Sequence, residues 1–198
     1  MEEDNIVKVP EEKKQEFLKK WESNPNLIPK IGKVTVNMSI GESGVKLEKA
    51  SQVLESLTGQ APIKLKAKKT IRTFGIRKYE PIAIKTTLRG KKATDFLKLS
   101  LEVVENKLLK QIFDKYGNFS FGIKEHIEIP GVKYDPNLGI FGMNVTVSME
   151  RNGYRIHRRS YRRRKIPEKT RISPEEVMVF LEKEFGTEII KEYIISYY

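Results

Sequence analysis

The stretch 34–40 alternates without a break: Val34, Val36, Met38 and Ile40 are apolar, and Thr35, Asn37 and Ser39 between them are polar. Only an extended strand puts alternate residues on opposite faces, so one face of this stretch meets a core and the other meets water. Lys33 extends the polar set. Residues 81–89 repeat the pattern, with Ile82, Ile84, Thr86 and Leu88 set against Ala83, Lys85, Thr87 and Arg89, and MNVTVSME at 143–150 repeats it again. Strands covered on both faces read as continuous apolar runs instead. Three half-polar strands therefore exclude a doubly covered parallel sheet. They predict an α+β chain, a mainly antiparallel sheet in two layers with helices on one face. The other face is left to water or to a ligand.

Helical periods supply the covering layer. Pro10, Glu11 and Glu12 suit a first turn, and Phe17, Leu18 and Trp21 form an apolar stripe, which predicts a helix over 10–23. Leu47, Ala50, Val53, Leu54 and Leu57 predict a second helix, with Ser43 as its cap and Gly59 at its end. A third, capped by Thr94, is expected to run to about residue 114 on Phe96, Leu97, Leu101, Val104, Leu108 and Ile112. Ser173-Pro174-Glu175-Glu176 reads as a capping box for a last helix carrying Val177, Phe180, Leu181 and Phe185. Residues 63–66, 119–123 and 126–130 read as short strands, and Asn152-Gly153 as a hairpin turn. The tail EIIKEYIISYY fits an edge strand, a helix continuation or a partner-binding segment. The expected organisation is one domain over 1–198, with a helical extension (1–23), an α+β core (24–154), an Arg-rich loop (155–171) and a C-terminal helix and tail (172–198).

Charge narrows what the open face could meet. The net charge is +12, yet residues 61–92 alone carry +10 and residues 155–171 carry +8, so the remainder is acidic. Two concentrated basic blocks suit a polyanion better than a uniformly basic surface would. The second block holds Arg155, Arg158, Arg159, Arg162, Arg163 and Arg164, with Tyr154 and Tyr161 interleaved. Arginine grips phosphate with a planar fork and stacks on bases. A membrane surface would call for an apolar helical face, which this block lacks. A solvated loop with no partner is the plain alternative. Residues 67–80 mix cations with Phe74, Gly75 and Tyr79, the form of an RNA-contacting loop. Burial in the core is the competing reading for Ile71, Phe74 and Ile76, and the preferred one for Ile71.

The inventory for catalysis is poor. No cysteine is present, so thiolate metal sites, disulfides and cysteine nucleophiles are excluded. The two histidines, His126 and His157, have no G-x-S-x-G partner and no spaced carboxylates to build a metal site. Gly41-Glu42-Ser43-Gly44-Val45-Lys46 lacks P-loop spacing and is read as a turn. No cofactor and no metal are expected. No apolar run approaches the ~20 residues of a membrane span, and the acidic N-terminus does not read as a signal peptide, so a soluble cytoplasmic protein is expected.

Five ordered blocks resemble one family. Asn24-Pro25-Asn26, Pro29 to Ser39 and Gly41-Glu42 form the first, and Leu57-Thr58-Gly59-Gln60-Ala61-Pro62 with Ala67 to Ile71 the second. Ile71 to Arg77 with Pro81-Ile82 and Thr87 to Gly90, then Phe121 to His126, then Gly142-Met143-Asn144 complete the series. Their order and spacing over residues 24–186 resemble ribosomal protein L five, the 5S-rRNA-binding protein of the large subunit. The helix before Asn24 and the Arg block depart from the bacterial pattern and resemble the archaeal and eukaryotic branch.

The resemblance implies a structural protein of the central protuberance, not an enzyme. It implies 5S rRNA, 23S-type rRNA, the P-site tRNA and neighbouring ribosomal proteins, including one of the small-subunit head, as partners. Asn37, Gln60 and Thr87 fall on family positions associated with 5S rRNA. Lys33, Thr35, Ser39, Lys64, Lys85 and Arg89 are grouped with them as candidate contacts. Lys68, Lys69, Thr70, Arg72, Phe74, Arg77 and Lys78 fall on the segment that approaches tRNA. The six arginines from Arg155 to Arg164 are assigned to further rRNA, and the block is expected to order on assembly. Two rivals remain: an RNA-processing or RNA-modifying enzyme with a basic surface, which needs a cofactor pocket or metal cluster, and a DNA-binding regulator, which needs a basic recognition helix.

Overall fold

The computed structural model describes residues 6, 7 and 9–191. Among them lie four α-helices, α1 (Glu11–Ser23), α2 (Val45–Thr58), α3 (Lys91–Val103) and α4 (Pro174–Phe185). Seven strands accompany them: β1 (Lys30–Ser39), β2 (Ile63–Lys66), β3 (Pro81–Leu88), β4 (Lys107–Leu109), β5 (Phe119–Ile123), β6 (Met143–Glu150) and β7 (Glu188–Ile190). Five strands form one sheet in the order β2-β3-β1-β6-β5, and β3 is antiparallel to both β1 and β2. A small second sheet pairs β4 with β7 in parallel. The fold is α+β, as the alternating strands required.

The contacts divide into two compact units, one of residues 33–103 and 121–146, the other of residues up to 32, 104–120 and from 147 on. In the first unit, Val34, Val36, Met38, Ile84 and Leu88 point to one side and are fully buried with Leu47, Ala50, Leu54, Leu97 and Leu101 of α2 and α3. Each such leucine contributes ~1.5–3 kcal/mol by leaving water. The alternates Lys33, Thr35, Asn37, Lys85 and Thr87 stay half-exposed on the opposite face.

In the second unit, α1 lies on α4. Lys13 pairs with Glu175 at 2.8 Å and Lys14 with Glu182 at 2.7 Å along this contact. Trp21 is buried here and donates its indole N–H to Glu176 Oε1 at 3.0 Å. The same carboxylate takes the guanidinium of Arg151, and both ionic side chains are 8% exposed. Gly117 has a φ of +73°, and a Cβ there would stand 2.4 Å from Val177 Cγ2. Both the left-handed backbone and the close approach of α4 demand glycine.

Several expectations fail for local reasons. The third helix ends at Val103 rather than near 114, because Glu105 and Asn106 both take positive φ and turn the chain into β4. It also begins at Lys91, so Thr94 lies within its first turn. Ser43 does not cap α2; its hydroxyl donates to Glu80 instead, and Gly44 is the N-cap. Ser173 does cap α4, accepting from Glu176 N at 3.2 Å, but the Glu176 carboxylate goes to Trp21 and Arg151 instead of closing the box. Residues 126–128 form a 3₁₀ turn, not a strand. Gly153 leads into another such turn, Tyr154–His157, instead of a hairpin. The first part of the tail is strand β7, and residues 192–198 lie outside the described residues.

Candidate nucleic-acid interface

The pairing of β1 with β3 fixes which polar side chains meet. Thr35 stands opposite Thr87, Asn37 opposite Lys85 and Ser39 opposite Ala83. Directly opposed residues share one face and stand about 4.5–5.5 Å apart at Cβ. The Asn37 amide also donates to Ser39 Oγ at 3.1 Å. On β2, Ile63 lies opposite Lys85, so Ile63, Lys85 and Asn37 form one row across three strands. Ile63 is 65% exposed, an apolar surface at the edge of a polar field. Gln60, just beyond the left-handed cap Gly59, reaches Thr87 O with its amide at 3.5 Å.

On β6, Asn144 and Thr146 are exposed, alternating with buried Met143 and Val145. Gly122 gives Asn144 its room: a Cβ at Gly122 would lie 3.4 Å from Asn144 Oδ1. Neither Asn144 nor Thr146 is among the candidates read from the sequence, although the MNVTVSME alternation signals both. Within this unit the open face carries amides, hydroxyls and lysines and no carboxylate.

Lys64 does not join this row. It is opposite Ile84, on the face toward the helices, and pairs with Glu48 of α2. Arg89 is exposed just beyond the end of β3. Thus Lys33, Thr35, Asn37, Ser39, Lys85 and Thr87 are brought together with Gln60 nearby, and Lys64 is not.

The loop 67–80 projects as a small folded tip. Ile71 and Ile76 bridge its two arms, a 3₁₀ turn spans Arg72–Phe74, and Gly75 takes φ +68° at the apex. Glu80 anchors the base by accepting from Arg77 N at 2.8 Å and from Ser43 Oγ. Those bonds, the Ser43 one first, hold the Glu80 carboxyl below its ordinary pKa. Lys78 N donates to Thr70 Oγ1 at 3.0 Å. Phe74 is 74% exposed and Ile71 is exposed too, so the core reading preferred for Ile71 is wrong. The backbone bridge holds Ile71 at the tip, away from any core. Lys68, Lys69, Arg72, Arg77 and Lys78 are exposed around them.

The Arg block is not uniform. Arg158 forms a two-pronged pair with Glu150 at 2.8–2.9 Å. Arg159 Nε donates to Arg162 O at 3.0 Å, and Arg162, at φ +49°, lies over the Tyr161 ring. Arg155, Arg163 and Arg164 are exposed and make no ion pair among the described residues. Bonds within the chain thus engage Arg158, Arg159 and Arg162.

Neither histidine is placed for catalysis. His126 is buried, and its Nδ1 accepts from Phe141 N–H at 3.3 Å. Burial lowers its pKa. His157 Nδ1 is bonded to Tyr154 O. Among the described residues no group of three or more His, Asp or Glu could hold a metal, and no helix is long and apolar enough to cross a membrane.

Residues 24–77 match the family described as Ribosomal protein L5, and residues 81–173 match the C-terminal region of the same ribosomal family. The chain belongs to the ribosomal protein L5 family. It is 51% identical over 183 residues to the large ribosomal subunit protein uL5 of Aeropyrum pernix, covering 92% of this chain and 95% of that one. The uL5 of Methanoregula boonei is 51% identical over 159 residues, 80% of this chain and 96% of that one. That of Sulfurisphaera tokodaii is 48% identical over 169 residues, 85% and 96%. The C-terminal match spans the Arg block and reaches residue 173.

Proposed function

We propose that the chain is a structural component of the large ribosomal subunit in the cytoplasm and that it binds 5S rRNA through the open face of β1, β3 and β6. The observation that carries this reading is the row of Asn37 opposite Lys85 beside Thr35 opposite Thr87, uncovered and free of carboxylates. Irregular RNA loops present unstacked base edges and 2′-hydroxyls, which amides and hydroxyls read by hydrogen bonds. Lysines beside them displace counterions from phosphate. Asn37, Gln60 and Thr87 select the RNA, and Lys33, Lys85 and Arg89 supply affinity.

The tip at 67–80 is the segment proposed to approach the P-site tRNA. Its exposed Phe74 offers a stacking surface amid Lys69, Arg72 and Arg77. The chain also meets 23S-type rRNA and neighbouring proteins of the central protuberance, with one contact to the small-subunit head. Its work is binding, not turnover.

Binding of the purified chain to 5S rRNA and to a transfer RNA, compared across a salt series, tests this reading. A preference for 5S rRNA that persists at physiological salt is expected. Equal affinities that fade together with salt would overturn it, leaving only a basic surface.

A further inference from the structure

A cavity of about 340 Å³ opens where α1, α4, β7 and the segment before α1 meet. Its walls are apolar: Ile6, Val7 and Val9 from the segment, Met178 from α4 and Ile189 from β7. Val7 N donates to Ile189 O at 2.7 Å and Ile6 bridges to Ile190, so the segment runs antiparallel beside β7 and forms one wall. The volume lies in the range of small-molecule sites, ~300–1,000 Å³. All the lining residues belong to one compact unit, the one that does not contain the Asn37 row.

The charge here runs against that of the whole chain. Glu11, Glu182 and Glu188 line the cavity with a single cation, Lys14, which leaves a local balance of −2 on a chain of net +12. Lys14 is already engaged by Glu182 at 2.7 Å. The bond to Glu182 first, then the charges of Glu182 and Glu11, hold its ammonium above the ordinary pKa against the cost of burial. Glu11 and Glu188 make no ion pair among the described residues. Thr187 lines the same cavity, is 1% exposed, and its Oγ1 has no hydrogen-bond partner. A buried hydroxyl left without a partner costs free energy, and this one stands where a ligand can supply the missing bond.

We infer that this cavity binds a linear aliphatic diamine in its doubly protonated form. The alkyl chain lies on Ile6, Val9, Met178 and Ile189. One ammonium end meets Glu11, the other meets Glu188, and Thr187 Oγ1 accepts an ammonium N–H. Two ammonium groups neutralise the balance that Lys14 leaves. A bare divalent cation would match the charge but not the apolar walls, and a phosphate or nucleotide would meet carboxylates. The ligand ties α1 to β7, so it stabilises the folded unit by linkage. RNA has no part in the site, and the inference does not rest on the proposed function.

The test is calorimetric titration of the RNA-free full chain with 1,4-diaminobutane and, separately, with n-butylamine and with magnesium chloride, at matched ionic strength. Saturable diamine binding is expected, at least ~10-fold tighter than either control, with a Tm that rises with ligand concentration. Diffuse attraction cannot produce it, because a chain of net +12 repels a dication. Glu11→Gln with Glu188→Gln is compared with Glu12→Gln with Glu184→Gln. The second pair removes the same charge from exposed positions of the same unit that do not line the cavity. The first pair should weaken binding ~10-fold or more and the second less than about twofold. Thr187→Val removes an unpartnered hydroxyl, so the free variant should melt no lower than the parent while diamine binding weakens ~3-fold or more. Parental affinity in Thr187→Val, equal loss in the two glutamate pairs, a control ligand binding as tightly as the diamine, or no saturable binding would each overturn the inference.

Discussion

Asn37 and Lys85 stand directly opposite each other on neighbouring antiparallel strands, and both face away from the helices. Replacing Asn37 by Ala removes an amide that the fold itself uses only for one exposed bond to Ser39. Affinity for 5S rRNA is expected to fall by ~1–3 kcal/mol, with unchanged thermal stability. Lys85→Ala is expected instead to lower the steepness of the salt dependence by about one unit. Filter binding across a salt series distinguishes the two. If both variants changed only the salt dependence, the face would not be reading base edges.

Glu80→Gln tests the tip. The Glu80 pKa is lowered by its bonds, so the carboxylate stabilises the loop above the ordinary glutamate range and loses that effect as pH falls through its folded value. The Arg77 amide resonance is expected to shift as the tip loosens on acidification below the ordinary glutamate value of 4.5, while the strands of the sheet stay unchanged. The Gln variant should show the loosened resonance at neutral pH. An Arg77 signal indifferent to both changes would count against Glu80 as the anchor.

The Arg151–Glu176 pair is buried beside Trp21. Glu176→Ala leaves a guanidinium without its counter-charge and should cost ~3–5 kcal/mol. Arg151→Met combined with Glu176→Leu should cost less than either single change, because no charge is then stranded. Urea titrations followed by Trp21 fluorescence measure all three. A double variant as unstable as the sum of the singles would contradict this account.

Gly117→Ala places a methyl group against Val177 on a left-handed backbone. A loss of ~1–3 kcal/mol is expected. Val177→Ala in the same chain should recover part of that loss if the clash contributes, and none if backbone strain is the whole cause.

The strands are the most legible part of the chain, because period two is unambiguous in Val34 to Ile40 and Met143 to Glu150. The open face follows from the same alternation. Neighbour order does not: nothing in IKLK says that Ile63 and Leu65, not Lys64, share a face with Asn37. That depends on a register set by pairing with β3. The end of α3 is hidden because Val104, Leu108 and Ile112 keep helical spacing through a left-handed turn at Glu105 and Asn106. Glu176 is legible as a capping residue and illegible as the partner of Arg151, a residue 25 positions earlier. The Arg block announces itself by composition. Which of its arginines are already engaged depends on Glu150 and on backbone carbonyls that composition does not reveal.

The parallel pairing of β4 with β7 sets an order of events during synthesis. Residues 33–103 and 121–146, whose contacts cluster together, are all synthesised before Glu188–Ile190. Lys107–Leu109 finds its partner strand only when Glu188–Ile190 exists. The growing chain must therefore carry α1 without α4 through most of translation, and β4 without β7 until close to its end. The polar residues of β1 and β3 are therefore made before the unit bearing the Arg block is finished.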